Sequence, residues 1–339
     1  MSSLNIIELL RVITNKYQFY SSVVILFIGL IGNILIILMF NILRIFRGNQ
    51  CAYYLKIESM ANIGVLLAML PSNIASYIIG RNPVHISVAW CKIQSMSSYS
   101  FGLYSLCTIC FLAFDQYLST NHRQHWRYIS TLKLAYRLSF FNITIVLLHG
   151  ILFLIFTQTG PLGCTVYHPT VNAYFTFFYY PILSCVLPIT ISGLFSLLAY
   201  QNVRRIIRRQ IPLMRRRLDR QMTAIALTRV MCIVSLGIPF IIWSLFRLNI
   251  TYHADDHVEE AILNLSSVVI YSILYTNYAI NFYLFLMISP RYRHQVKYFF
   301  IKKLRRSLTI LSNPRLIISK NNQVAPEPTQ ASAFVLECV

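Results

Sequence analysis

The chain has 339 residues, of which 56% are hydrophobic and only 12% charged, and its mean hydropathy is +0.58. That is too apolar for a soluble domain carrying a polar shell, and a lipid bilayer is the solvent it fits. The formal net charge of +20 comes from Lys and Arg placed between and after apolar runs rather than interleaved with aromatics, which argues against nucleic acid and for anionic membrane lipids as the polyanionic partner.

Residues 1–17 carry Glu8, Arg11 and Lys16 without a long apolar core or a small-residue cleavage site, so an extracellular N-terminus lacking a cleaved signal peptide is expected. Seven apolar runs follow, near 18–43, 53–79, 88–120, 132–157, 174–203, 221–247 and 265–288. Each suffices, at about 1.5 Å per residue, for about 30 Å of hydrocarbon. In lipid every backbone group must be satisfied within its own helix, and short connections make consecutive helices antiparallel neighbours. The expected fold is all-α, a seven-transmembrane helix bundle over 18–289.

Lys and Arg mark the inner side. Arg44 and Arg47 follow the first span, Arg123 and Arg127 the third, and Arg204, Arg205, Arg208, Arg209, Arg215, Arg216 and Arg217 the fifth, so these loops are read as cytoplasmic. The loop before the seventh span instead carries Asp255, Asp256, Glu259 and Glu260. Two sequons, at Asn249 and Asn264, fall on this same outer side as candidate glycosylation sites, whereas a third at Asn142 lies within span four. After the last span, 290–306 places Tyr292, Val296, Phe299, Phe300 and Leu304 on one stripe with cations elsewhere. That pattern predicts an amphipathic helix on the membrane surface, followed by a disordered cytoplasmic tail over 307–339.

Enzymatic chemistry finds no support. The chain has no Ser/His/Asp set, no metal cluster and no phosphate-binding Gly loop, and its eight histidines are scattered; no cofactor is expected. Among the eight cysteines the pair Cys107 and Cys110 sits inside a span and reads as packing.

Several residues then match one family in order and spacing. Gly32-Asn33 lies in span one, Tyr53-Tyr54-Leu55 through Pro71 in span two, and Cys91 opens span three, which Asp115-Gln116-Tyr117 closes. Pro188 lies in span five, Leu236-Gly237-Ile238-Pro239 in span six, and Asn277 with Asn281-Phe282-Tyr283-Leu284-Phe285 in span seven. The chain resembles the rhodopsin-like (class A) G-protein-coupled receptors, as a divergent member. Asn62 stands where the family usually has Asp, Gln116 where it has the Arg of Asp-Arg-Tyr, Gly237 in place of the Trp of span six and Phe282 in place of the Pro of span seven. Span four lacks the usual Trp, and Ser196 replaces a frequent Tyr.

The resemblance implies a disulfide between Cys91 and Cys164. It also implies a ligand cavity presenting Ser72, Asn73, Ser98, Tyr99, Gly102, Tyr180, Phe240, Ser244, Tyr271 and Tyr275. Ser98 stands where amine receptors place an Asp, and Tyr275 where opsins place a Schiff-base Lys, so neither an amine nor retinal is expected. The acidic outer loop favours a cationic peptide, although it reads equally as a solvated loop. Asn33, Asn62, Ser105, Asn277 and Asn281 resemble the family's sodium-binding cluster, with its main anionic ligand missing at Asn62, so little sodium dependence is expected.

Glu58 and Arg229 occupy positions where the family has apolar residues, in a layer below that cluster with Ile109 as its third member. A charge there costs at least about 2.5 kcal/mol, and a buried ion pair between them is the economical reading; separate snorkelling is the alternative. At the inner face, Asp115, Gln116, Tyr117 and Asp219 resemble the switch region facing the G protein. Gln116 forbids an ion-pair lock with Asp219, and Asp115 is expected to pair with Arg123 or Arg127.

The leading reading is a plasma-membrane receptor for a peptide-like extracellular ligand, acting on a heterotrimeric G protein; the arginine-rich inner loop reads as a G-protein or arrestin contact and equally as lipid-facing charge that sets topology. A non-signalling or decoy receptor is the alternative that Gln116 keeps open. A transporter or channel is the further one, which would need repeats, broken helices or a charged path.

Overall fold

The computed structural model describes residues 3–43, 46, 48–160, 163–206, 213–249 and 257–304. Its longest elements are helices, because apolar runs in lipid leave the backbone no partner except itself. We label them α1 Ser3–Ile42, α2 Gln50–Ile79, α3 Val88–Thr120 and α4 Leu132–Phe156. Helix α5 runs through three consecutive segments, Pro169–Tyr174, Phe175–Val186 and Leu187–Ile206. Then come α6 Leu213–Asn249 and α7, which comprises His257–Ala279 and, after a break at Ile280, Asn281–Ile288. All seven are long and apolar enough to cross a membrane by length and composition.

Local chemistry sets several ends. Asn49 Oδ1 accepts from Ala52 N at 3.0 Å to cap α2, and Gly80 closes it at φ 72°, a left-handed conformation that suits glycine. Ser87 and Thr131 cap α3 and α4 in the same way. Within α5 the turns widen to π-helical over Phe175–Val186, a segment that contains Pro181, whose ring and missing N–H disfavour a regular α-turn.

The first helix begins earlier than the apolar run near 18–43 indicates: α1 is helical from Ser3, with Asn5–Ile42 as its membrane candidate. The charges at Glu8, Arg11 and Lys16 lie on an otherwise helix-compatible stretch, and charge alone does not end a helix.

Helix α3 is the pivot: 56% of its most apolar window is buried, against 22–33% for the other six. It packs against α2, α4, α5 and α6, while α1 closes the ring between α2 and α7. Small residues permit the closest approaches. A Cβ on Gly29 would meet Leu66 at 2.5 Å and Ala279 at 2.9 Å, and one on Gly64 would meet the Phe101 ring at 2.6 Å. Side chains such as Phe140, Phe141 and Leu148 of α4 are exposed and supply an apolar face for lipid.

A two-stranded antiparallel hairpin follows α4, with β1 Thr157–Gly160 paired to β2 Gly163–Val166 and Thr159 opposite Cys164. The chain divides after Pro290 into a second unit. Taken by itself, this unit holds all but the first residue of α8, Pro290–Tyr298, extended by a π-helical segment Phe299–Leu304. Tyr292, Val296 and Phe299 are buried while Arg293, His294 and Lys297 are exposed, so the segment is amphipathic. Phe300 of the apolar stripe is exposed. The tail over 307–339 lies outside the described residues.

Candidate functional site

Cys91, at the start of α3, is joined to Cys164 of β2 by a disulfide with a Cα–Cα distance of 5.7 Å. The hairpin is thereby pinned to one end of the bundle. Near this end an aromatic chain crosses four helices: Tyr99 of α3, Tyr180 of α5, Phe240 of α6, and Tyr271 and Tyr275 of α7. Successive ring centroids along it lie 5.8–6.4 Å apart. Tyr180 Oη donates to Tyr99 Oη at 2.7 Å. Tyr99 also stacks on Phe153 at 4.1 Å, which joins the chain to a pile of His149, Phe153, Phe175 and Tyr179 between α4 and α5. Such offset and edge-on contacts make a rigid, apolar surface with hydroxyl handles.

The ten expected cavity residues are not presented alike. A cleft of about 100 Å³ between α1, α2 and α7 is lined by Gln18, Ser22, Asn73, Tyr271, Ser272 and Tyr275 among others. Of the expected set, Asn73, Tyr271 and Tyr275 meet there. The hydroxyl protons of Ser72, Ser98 and Ser244 are used nearer home, on Gln94 Oε1, Ser95 O and Phe240 O at 2.7–3.1 Å. Gly102 is buried facing Tyr278, whose Oη would lie 3.4 Å from a Cβ there. Helix α1 contributes residues that reasoning on the ten positions missed: Tyr17 Oη and Ser272 Oγ share a hydrogen bond of 2.7 Å, and Asn73 Nδ2 donates to Ser22 Oγ at 3.4 Å. A second cleft of about 100 Å³, between Arg11, Thr14 and Asn15 of α1 and His257, Glu260 and Asn264 of α7, holds the second sequon asparagine.

The middle of the bundle carries the chain's most expensive chemistry. Arg229 of α6 and Glu58 of α2 are 0% and 1% exposed, and Arg229 Nε lies 2.6 Å from Glu58 Oε1. The same guanidinium donates from Nη1 to Asn277 Oδ1 of α7 at 2.6 Å, and Asn281 Nδ2 donates to Glu58 Oε1 at 2.9 Å. Asn62 joins the other polar residues: Ser105 Oγ donates to its Oδ1 at 2.7 Å, and its Nδ2 donates to Asn33 Oδ1 at 3.4 Å. The expected ion pair between Glu58 and Arg229 is present, and it is hydrogen-bonded to two members of the sodium-like cluster, Asn277 and Asn281. Arg229 is long enough to reach Asn277, and Asn281 reaches down to Glu58. Ile109 packs instead with Leu106, Val230 and Ile233 in an apolar cluster alongside.

The chain matches the 7 transmembrane receptor (rhodopsin family) over residues 32–281. It belongs to that family. No curated protein matches it. The family is one of receptors rather than enzymes, and the chain is a multi-pass membrane protein.

At the opposite end of the receptor from the disulfide, Asp115 accepts from Ser130 Oγ at 2.7 Å and from Cys51 Sγ at 3.8 Å. No cation pairs with it among the described residues, which corrects the expected pairing with Arg123 or Arg127; Arg123 is exposed, and the Ser130 hydroxyl satisfies Asp115 where the loop folds back. Gln116 is buried and bridges two helices: its Nε2 donates to Cys51 Sγ of α2 and its Oε1 accepts from Thr223 Oγ1 of α6 at 3.0 Å. Tyr117 packs on Phe195 of α5. Thr223 was missed, although a polar residue one helical turn beyond Asp219 was the available signal. The side chains of Asp219 and Asn249, and residues Asp255 and Asp256, lie outside what is described.

Proposed function

We propose that this rhodopsin-family protein is a plasma-membrane receptor, its N-terminus and disulfide-pinned hairpin outside, that converts binding of a peptide-like extracellular ligand into activation of a heterotrimeric G protein. The observation that carries this reading is the aromatic chain from Tyr99 to Tyr275. It links α3, α5, α6 and α7 beneath the hairpin, so a ligand that shifts any one ring acts on all four helices. Tyr99, Tyr180, Phe240, Tyr271 and Tyr275, with Asn73 and the α1 hydroxyls of the cleft, are the contact surface; Ser72, Ser98, Gly102 and Ser244 support it. Exposed Glu259 and Glu260 at the head of α7 favour a cationic ligand segment. In the same reading Asn249 and Asn264 are outer-side glycan acceptors, and arrestin and anionic lipids meet the arginine-rich side.

A ligand shifts the equilibrium only by its differential affinity for two helix arrangements. The contacts that differ between them are the ones that hold α6: Arg229 with Glu58 and Asn277, and Thr223 with Gln116. A decoy receptor is the second reading, and Gln116 favours it, since a buried neutral amide engaged with Cys51 and Thr223 offers a G protein no cation. A transporter fares worse, because the buried charges among the described residues do not line a path: Glu58 and Arg229 neutralise each other at one level, and Asp115 lies apart at the inner end, hydrogen-bonded to Ser130 and Cys51.

The test is G-protein recruitment by the full chain in cells, against a panel of cationic peptides and small molecules, alongside Gln116→Arg. A ligand-dependent response of the parent supports signalling. A response confined to Gln116→Arg favours the decoy, and no response from either, with both proteins at the cell surface, refutes the receptor reading.

A further inference from the structure

A guanidinium carries five N–H donors in a fixed plane. In Arg229, Nε engages Glu58 Oε1 and Nη1 engages Asn277 Oδ1, both at 2.6 Å, and Nη2 is buried without a partner. Asn281 gives its Nδ2 to the same Glu58 oxygen at 2.9 Å, and its Oδ1 is also buried without a partner. One orphan donor and one orphan acceptor thus belong to groups that meet on a single carboxylate oxygen.

The other amide oxygens of this core are already engaged. Asn277 Oδ1 accepts from Arg229, Asn62 Oδ1 from Ser105, and Asn33 Oδ1 from Asn62. A free monovalent cation needs several oxygen ligands and a negative charge. Here the charge of Glu58 is neutralised and the amide oxygens face hydrogen donors instead.

We infer that the polar core is a cation site filled from within: Arg229 is its resident cation, and one bound water, accepting from Arg229 Nη2 and donating to Asn281 Oδ1, completes it. The site is shaped for a planar cation with directional donors. Glu58 on α2 and Asn277 on α7 receive two different nitrogens of the one group, which a spherical ion cannot imitate. A site emptied of Arg229 therefore takes guanidinium from solution in preference to sodium. The inference holds whatever ligand the receptor recognises, so its failure leaves the receptor reading untouched.

The test uses the full chain in detergent micelles and follows thermal unfolding of Arg229→Ala with low-millimolar guanidinium chloride, well below denaturing concentrations, or the same concentration of sodium chloride. Arg229→Ala is expected to unfold at a lower temperature than the parent, with guanidinium recovering at least about half of the loss and sodium recovering none. Glu58→Gln/Arg229→Ala, which removes the receiving charge, is expected to show no recovery. Absence of recovery in Arg229→Ala, equal recovery by sodium, or equal recovery in the double variant overturns the inference. If Arg229→Ala yields no folded protein, the parent decides: exchanging sodium for N-methylglucamine leaves its unfolding temperature unchanged, and a sodium-specific rise overturns the filled site. A density map of the parent is expected to show a water within hydrogen-bond distance of both Nη2 and Asn281 Oδ1; continuous protein or empty space there overturns the water.

Discussion

Replacing Arg229 by methionine keeps most of the side-chain length and removes the charge, leaving Glu58 1% exposed with the amide of Asn281 as its remaining hydrogen-bond donor. Stranding one member of a buried pair costs about 3–5 kcal/mol, and Glu58→Met should cost a similar amount by stranding the guanidinium. The double variant strands no charge. It leaves Asn281 Nδ2 without its acceptor and removes one donor from Asn277, whose Oδ1 keeps the weak Cys232 thiol at 3.9 Å, so its cost should fall to about 1–3 kcal/mol. The two single losses therefore exceed the double loss by several kcal/mol, far beyond the few tenths expected of independent sites. Unfolding titrations in mixed micelles measure all four corners of the cycle. Single losses under about 1 kcal/mol that simply add in the double variant would refute the reasoning, because they would mean that both charges reach water.

The disulfide closes a loop with a sequence separation of 73, so replacing Cys91 and Cys164 by serine should lower stability by about 4 kcal/mol in the loop-entropy limit, and reductant should destabilise the parent but not the variant. Gly64→Ala forces a Cβ to within 2.6 Å of the Phe101 ring and should cost about 1–3 kcal/mol. Gly237→Ala meets nothing within 4 Å and should be neutral or stabilising by up to about 1 kcal/mol in the same unfolding assay. Tyr180→Phe deletes the donor to Tyr99 and should cost about 0.5–1.5 kcal/mol while the ring contacts with Phe240 persist, a difference that fluorescence-detected melting resolves; a cost above about 3 kcal/mol would show that the ring itself moves.

Helix number and type, the connecting arginines and the family were written in the order of residues along the chain. Apolar length, charge between runs and landmark spacing are local properties, and lipid leaves an apolar run of twenty residues a single backbone solution. The beginning of α1 was not readable in the same way. Glu8, Arg11 and Lys16 mark where apolarity stops, whereas a helix stops where its hydrogen bonds do.

The polar core divides along the same line. That Glu58 and Arg229 need partners follows from the cost of a charge in hydrocarbon and is visible from their positions within apolar runs. Which atoms they find is not. The reach of the guanidinium to Asn277, the bond from Asn281 down to Glu58, the diversion of Asp115 to Ser130 and of Gln116 to Cys51 and Thr223 all depend on rotamers and on the separation of helices. Register places a residue on a face to within a turn, and hydrogen bonds act over about 3 Å, less than one turn of helix, so only the packed bundle selects among candidates that the chain leaves equivalent.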